Sequence, residues 1–324
     1  MIEFNKRNAR MWSIMGINPA IWSVAYAEVA DNRDDTIVMT ADLERYSGLQ
    51  RTFQKWPNRC YNVGIAEQNM VGIGAGMAME GKQVWMTTYA PFMSFRCADH
   101  VRHLMGNLNL NMKAIGSAAG FSAGFSGASL LAVSDIALMR SIPNMVVLCP
   151  ADTMEAVKMI LAISKTDAPC YMRFCGAVNL TMVYTDDYEF EIGKGIELVS
   201  GEKTAIIATG TGIVSEALKA GKMIAEKDGY QPTIVNMHTI KPLDTDLIEH
   251  LMEKHSTIVT LEEHSIIGGL GSAVAECVAK KGWNGLLKTI GIEDRVYVMG
   301  SRDFMLEQAG LTAEKIVEQI QNNK

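Results

Sequence analysis

The 324-residue sequence lacks the features of a membrane protein, a nucleic-acid-binding protein or a secreted one. No apolar run approaches the roughly 20 residues that a membrane helix needs. Basic residues do not predominate, since 30 Lys and Arg against 36 Asp and Glu give a net charge of −6. This balance argues against nucleic acid or an anionic membrane as the main partner. The first ten residues, MIEFNKRNAR, are followed by no apolar segment and do not form a secretory signal.

Paired cysteines are also missing. The six cysteines are scattered without any CxxC pair, so reduced and mostly buried thiols are the better interpretation, and we predict a cytoplasmic location. The content of 48% hydrophobic and 20% charged residues is typical of a folded protein. The chain is long enough for two domains with separate cores.

Short apolar segments alternate with helical ones along the whole chain. An example is the strand predicted at residues 34–39 and the helix at 66–79. This pattern is typical of parallel α/β sheets covered by helices on both faces. The acidic, turn-rich stretch 186–194 interrupts it. We therefore predict an α/β fold of two parallel-type domains, residues 1–185 and 195–324, joined by that linker.

Two familiar patterns are weak in this sequence. His100 and His103 have a metal-ligand spacing, but no third or fourth ligand lies nearby and arginines flank them, so we predict no metal site on this chain. Glycines near Gly72 and in GGLGS at 268–272 lack the spacing and the downstream acid of a nicotinamide site. Close helix packing explains Gly72 and Gly76, with Gly74 and Ala78, better.

The most informative segment is YNVGIAEQNM at residues 61–70. It places a single acid, Glu67, between apolar residues at the start of a helix rich in small residues. Taken alone, Glu67 has two readings. It is either an acid placed favourably on the helix dipole or a partly buried functional carboxyl group.

This segment does not stand alone, because several motifs in the same order resemble the pyrimidine-binding domain of transketolases. They are TADL at 40–43, TTYAPFMSF at 87–95 and the run from RSIPNM at 140–145 to PAD at 150–152. The second half is similar to the C-terminal domain of that family. A series of ordered motifs is more specific than any one of them.

The resemblance implies thiamine diphosphate as cofactor and a role for each matching residue. Glu67 would share a proton with a ring nitrogen of the aminopyrimidine, which activates the cofactor, and burial suits that role. Phe92 would stack on the pyrimidine. Four further residues would line the ring system: Asp42, Leu43, Tyr89 and Phe95.

One half of the family's cofactor site is missing. The GDG motif and later Asn that hold Mg²⁺ and the diphosphate do not occur, and the only Asp-Gly pair is Asp228-Gly229. The chain thus resembles the C-terminal subunit of a split transketolase. An N-terminal-type partner chain carrying GDG…N would hold the Mg²⁺, and a dimer of heterodimers would form.

The expected substrate residues have changed. Ser126 replaces an aspartate, and Leu130 and Leu131 replace a His-Gln pair that holds sugar hydroxyls in the family, whereas Arg173 matches its phosphate-contacting arginine. An apolar leucine does not bind a hydroxyl in the same way. We predict transfer of a two-carbon ketol unit to an aldehyde, with a donor or acceptor other than an ordinary sugar phosphate.

Two alternatives remain open. One is decarboxylative acyl or acyloin transfer, as in deoxyxylulose phosphate synthases or the beta subunits of 2-oxoacid dehydrogenases. The other is a non-catalytic assembly subunit, against which Glu67 and Phe92 argue. For His238 and His264, near predicted strand ends, both a structural and a functional role stay open.

Overall fold

The computed structural model describes residues 2–175, 178 and 180–322, and these residues form two sheets flanked by helices. The strands are β1 Thr36–Thr40, β2 Cys60–Asn62, β3 Gln83–Tyr89, β4 Met112–Ser117, β5 Val146–Leu148, β6 Cys170–Arg173, β7 Ile196–Val199, β8 Thr204–Thr209, β9 Thr233–Asn236, β10 Thr239–Lys241, β11 Thr257–Ser265 and β12 Leu286–Ile292. The ends of the two predicted domains at residues 1 and 324 lie outside the described residues.

Helices connect the strands. The α-helices are α1 Lys6–Met15, α2 Ile17–Ala20, α3 Ala27–Asn32, α4 Gln50–Lys55, α5 Glu67–Met79, α6 Ala98–His100, α7 Asp135–Ser141, α8 Thr153–Ile163, α9 Ile213–Asp228, α10 Thr245–Lys254, α11 Leu270–Lys281, α12 Arg302–Gln308 and α13 Ala313–Gln321. Wider π-turns occupy Ile21–Tyr26, Phe92–Arg96 and Val101–Asn107, and 3₁₀ turns occupy Pro57–Arg59, Gly124–Ser126 and Ala128–Leu130.

The first sheet has the strand order β10-β5-β6-β4-β3-β1-β2. All neighbouring strands are parallel except β10, which runs antiparallel to β5. All five residues of β1 are buried, as are the first six of β3. Continuous burial is expected for parallel strands covered on both faces, because no face is left for polar alternation.

The second sheet has the order β12-β11-β8-β9-β7, with β7 antiparallel to β9 and the other pairs parallel. The predicted fold class, two parallel-type α/β domains, is confirmed. The antiparallel edge strands were not predicted. They are short, three and four residues long, so they carry little periodic signal.

Strand β10 belongs to the second half of the sequence but pairs with the first sheet. Between β6 and β7 the described residues form no helix or strand. This connection is held in place by Asp152, which accepts hydrogen bonds from the backbone amides of Val183 and Tyr184. We call the contact region between the two halves, around Asp135, Glu155 and Arg173, the seam.

In the first sheet, β2, β1 and β3 are neighbours, and their carboxyl ends lie together at one edge. Ligands of open α/β sheets bind at such an edge, because loops and helix N-termini converge there. Asp42 and Glu67 follow β1 and β2, and Tyr89 is the last residue of β3. The topology thus brings distant parts of the sequence to one place.

Candidate active site

Glu67 is the first residue of α5, directly after the turn that follows β2. Its side chain is only 4% exposed. Gly64 makes this turn possible because its φ of 73° is a conformation that side chains disfavour. A carboxylate at a helix N-terminus is stabilised by the helix dipole, which offsets part of the cost of burial.

Arg96 is the direct partner of Glu67. Its Nη1 atom lies 2.6 Å from Oε1 of Glu67, and its guanidinium carbon lies 3.7 Å from the ring centroid of Phe92. Gln68 donates to the carbonyl of Arg96 at 2.8 Å. Sequence reasoning missed this contact. The available signal was the four-residue spacing of Phe92 and Arg96, which puts both on one face of a helical turn.

The predicted aromatic residues lie beside this pair. Tyr89 ends β3, and its ring centroid is 5.8 Å from that of Phe92. Tyr46, which the sequence did not single out, packs edge-on against Tyr89 at 4.7 Å. Phe95 is 51% exposed. The structure therefore gathers the aromatic set at the carboxyl edge, with Phe95 at its open side.

Asp42 and Leu43 follow β1 at the same edge. Asp42 has a φ of 58°, and its amide donates to the side-chain oxygen of Asn62 at 3.1 Å. Asp42 is exposed and Leu43 is half-buried. An aspartate tolerates this left-handed conformation better than most residues, and the contact to Asn62 joins the ends of β1 and β2.

The arrangement suits a flat, nitrogen-bearing ring. A planar guanidinium already lies over Phe92 and donates to Glu67, so both a stacking face and a buried acceptor point to one place. An aminopyrimidine needs the same two contacts. Among the described residues, no three His, Cys, Asp or Glu side chains converge as a metal site would require.

Arg173 ends β6, two strands away from β3 in the same sheet, and its side chain is bound in the seam. The side chain is 3% exposed, and its Nε donates to Oδ2 of Asp135 at 2.9 Å. Its Nη2 atom donates to the carbonyls of Ala132 and Glu263. Tyr171 also donates to Asp135, at 2.7 Å. In this conformation the guanidinium is bound by the protein itself, and its predicted phosphate contact stays a prediction.

The loop that carries the changed substrate residues crosses the seam. Ser126 is exposed and Leu130 is half-buried. The amide of Phe121 donates to Oε1 of Glu263 at 2.8 Å, and Glu263 pairs with Arg302 of α12. The amide of Ser265 donates to the carbonyl of Val133, so both ends of the loop are bonded to the second half, while Ser126 at its middle is exposed.

Other polar residues singled out in the sequence lie in the interior. Glu262 accepts bonds from the amides of Leu270 and Gly271, which gives the GGLGS segment a structural role. Burial lowers the pKa of His264 to about 4 and that of His238 to about 3, so both imidazoles are neutral near pH 7. His264 is hydrogen-bonded to the carbonyl of Ser265.

Two family models match the chain: the transketolase pyrimidine-binding domain over residues 20–176 and the transketolase C-terminal domain over residues 193–316. The chain belongs to the transketolase family. Its relatives of similar length include proteins described as a transketolase C-terminal section and as transketolase subunits. It is 40% identical over 295 residues to a protein of Methanocaldococcus jannaschii described as a putative transketolase C-terminal section, covering 90% of this chain and 92% of that one.

Other relatives differ in how much of their own length this chain covers. A 6-deoxy-6-sulfo-D-fructose transketolase subunit from a Clostridium species is 35% identical, with 90% of this chain and 89% of that one covered. A 1-deoxy-D-xylulose-5-phosphate synthase of Neisseria meningitidis is 34% identical over 90% of this chain but only 44% of its own length. A solved structure described as a split gene transketolase, inactive beta4 tetramer, is 32% identical with a TM-score of 0.84, covering 94% and 97%.

Proposed function

We propose that this chain is the subunit of a thiamine diphosphate-dependent transketolase-like enzyme that supplies the pyrimidine half of the cofactor site. The enzyme would transfer a two-carbon ketol unit to an aldehyde. The observation that carries the proposal is the position of Glu67, a 4% exposed carboxyl group at the carboxyl edge of the sheet, beside an aromatic face. A carboxyl group in this setting can exchange a proton with a ring nitrogen.

Each residue at the edge has a defined task in this proposal. When bound, thiamine diphosphate would supply a nucleophilic carbon that carries the two-carbon unit. Glu67 would hold a proton at its carboxyl oxygen toward the pyrimidine. Phe92 would fix the ring by stacking, since aromatic faces bind flat rings well. The walls of the pocket would come from Asp42, Leu43, Tyr89 and Phe95.

A partner chain would hold the diphosphate and Mg²⁺. The only Asp-Gly pair of the sequence supports this, because Gly229 is the left-handed cap that ends α9 and Asp228 is the last residue of that helix. The similar solved structure is described as an inactive tetramer of beta chains, which agrees with a need for a second kind of chain. We propose an N-terminal-type partner with a GDG…N motif and a dimer of heterodimers.

The substrate would be unlike an ordinary sugar phosphate. The half-buried Leu130 supports this, because an apolar side chain cannot hold a sugar hydroxyl, and Ser126 lacks the negative charge of the aspartate that it replaces. One relative is described as acting on 6-deoxy-6-sulfo-D-fructose. High activity of the assembled enzyme on xylulose 5-phosphate with ribose 5-phosphate would contradict this part of the proposal. Turnover of pyruvate would favour decarboxylative transfer, for which the similarity to the Neisseria enzyme speaks.

A cytoplasmic location completes the proposal. All six cysteines are buried and none forms a disulfide. Burial raises the pKa of Cys97 and of Cys175 to about 12, so these thiols resist ionisation and oxidation. Among the described residues, no helix combines the length and apolar character needed to cross a membrane.

The decisive experiment replaces Glu67 by Gln in the chain assembled with its partner. We expect the ketol-transfer rate to fall at least about 100-fold, because the amide cannot exchange the proton. Glu80→Gln, at the exposed end of α5, is the matched control and should leave the rate unchanged. An unchanged rate in Glu67→Gln would identify the chain as a non-catalytic assembly subunit.

A further inference from the structure

Arg96 makes, with its own chain, both contacts that the pyrimidine of the proposed cofactor would need. Its Nη1 atom donates to Oε1 of Glu67 at 2.6 Å, and its flat guanidinium covers Phe92 with 3.7 Å between the guanidinium carbon and the ring centroid. An aminopyrimidine is also flat and also presents nitrogen to an acceptor. The arginine side chain therefore imitates the ring in shape and in hydrogen bonding.

We propose that Arg96 occupies the pyrimidine position in the cofactor-free chain and must swing out before the cofactor ring can bind. Arg96 is thus a positioning residue that competes with the cofactor for Glu67 and Phe92. This inference rests on the proposed function. Its physical basis is that two flat groups cannot lie on the same face of Phe92 and bind the same carboxylate oxygen at once.

The two partners differ in how easily they can move. The Arg96 side chain is 42% exposed, whereas that of Glu67 is 4% exposed. A guanidinium that is already partly hydrated returns to water at little cost, and its long side chain reaches solvent by rotation alone. Gln68 binds the carbonyl of Arg96 and keeps the backbone in place. Only the side chain needs to leave.

The same contact explains how the chain tolerates Glu67 before the cofactor arrives. A buried carboxylate without a partner is costly, so a cation that covers it stabilises the free subunit. The nearest other charged groups on this segment do not serve that purpose, because Arg102 pairs with Asp99 at 2.6 Å on the surface. Arg96 therefore trades part of the cofactor affinity for stability of the unloaded chain.

The test measures binding of the cofactor's pyrimidine half, 4-amino-5-hydroxymethyl-2-methylpyrimidine, to the isolated full chain by calorimetry or ligand-observed NMR. Removing the competitor in Arg96→Met should tighten binding about tenfold, which is about 1.4 kcal/mol. Arg96→Lys keeps a cation for Glu67 but loses the flat group, so its Kd should lie between those of the other two. Arg102→Met, which removes a surface arginine of the same segment, should bind like the unmodified chain.

The outcomes separate the two proposals. Equal or weaker binding by Arg96→Met, with saturable binding by the unmodified chain, would overturn the competition and leave the cofactor assignment intact. No saturable binding by any of the variants would overturn the cofactor assignment of this pocket itself. If Arg96→Met does not fold, Arg96→Lys decides: unchanged or weaker binding would overturn the competition, and tighter binding would support it.

Discussion

Two arginine–carboxylate pairs in this chain have nearly equal geometry and opposite surroundings. Arg96 and Glu67 are joined at 2.6 Å, with side chains 42% and 4% exposed. Arg173 and Asp135 are joined at 2.9 Å, with side chains 3% and 0% exposed. The first pair lies beside the ends of β1, β2 and β3, and the second lies at the end of β6, in the seam. Their exposure, more than their distance, distinguishes what each pair can do.

A pair with one hydrated partner can be exchanged for a ligand, whereas a fully desolvated pair cannot be opened cheaply. The seam repeats the closed arrangement. Glu263 pairs with Arg302, and Glu155 accepts from Asn236 across the two halves at 2.8 Å. The ion pair at the edge can thus give way to a ligand, whereas the ion pairs and hydrogen bonds of the seam hold the two halves together. A matching arginine in a family motif does not reveal by itself which kind of pair it will form.

The sharpest way to break this comparison is Arg173→Met. We expect it to lower the free energy of unfolding by about 3–5 kcal/mol, because Asp135 would remain buried without its cation. Urea unfolding of the isolated chain measures this. Arg96→Met is the matched comparison, and it should cost less, about 1–2 kcal/mol, because water can reach Glu67 where the half-exposed Arg96 side chain stood and the N-terminus of α5 still stabilises the carboxylate. A different outcome would contradict this. If Arg173→Met is as stable as the unmodified chain but has a raised KM for a phosphorylated substrate, Arg173 binds the substrate phosphate, as the resemblance implies.

The second test concerns pH and the buried Glu155 in the seam. Burial raises the pKa of this carboxyl group to about 7, above the ordinary value of 4.5. The folded chain therefore holds the proton more tightly than the unfolded chain. Its contribution to stability is fully present below pH 4.5 and is lost as the pH rises through about 7. Glu155→Gln removes this titrating group. Between pH 4.5 and 8 the free energy of unfolding of the variant should therefore fall by about 1–3 kcal/mol less than that of the unmodified chain.

The comparison of two variants isolates that effect from other titrating groups. Burial also raises the pKa of Glu262 to about 7, but this group is common to both chains and cancels in the difference. Glu189→Gln, an exposed glutamate in the connection between the halves, should follow the unmodified chain. Parallel curves for Glu155→Gln and the unmodified chain would mean that Glu155 stays ionised in the folded state.

The smallest expected effect concerns α5, which begins at the exchangeable edge. A side-chain carbon added at Gly72 meets no atom of the described residues within 4 Å, whereas one at Gly74 would lie 3.1 Å from Met112 and 3.2 Å from Met86. Gly72→Ala should therefore stabilise the isolated chain by about 0.5–1 kcal/mol, since alanine favours helix. Gly74→Ala should gain less, because those neighbours must move. The midpoint of thermal unfolding measures both effects. A lower midpoint for Gly72→Ala would contradict the finding that nothing packs against Gly72.

The residues of the exchangeable edge could be predicted from the ordered motifs that resemble the transketolase pyrimidine-binding domain, which single out Glu67, Tyr89 and Phe92. Parallel strands then bring these motifs together, because their carboxyl ends meet at one edge of the sheet. The prediction of close packing is confirmed for Gly74, which meets Met112 and Met86, and is wrong for Gly72 and Gly76, which have no neighbour within 4 Å among the described residues. Periodicity identifies a small-residue helix but not which side of it meets the sheet.

The seam was largely beyond sequence reasoning. The contacts of Arg173 with Asp135 and of Glu155 with Asn236 join residues 38 and 81 positions apart. Short strands such as β10 carry too few residues for a period to be read. The sequence pattern of residues 14–30 predicts one continuous helix, but in the structure Gly16, with a φ of 86°, separates α1 from α2 and a π-helical segment follows at Ile21–Tyr26.

Strand β10 has a consequence for how the gene for such a chain can be divided. It covers the open side of β5, so the first sheet is completed only when residues 239–241 have been made. A polypeptide stopped at residue 194 would contain every strand of the first sheet except that cover. The bare amides and carbonyls of β5 would then invite pairing with other molecules. A cut between the two halves of this chain would therefore leave an aggregation-prone fragment.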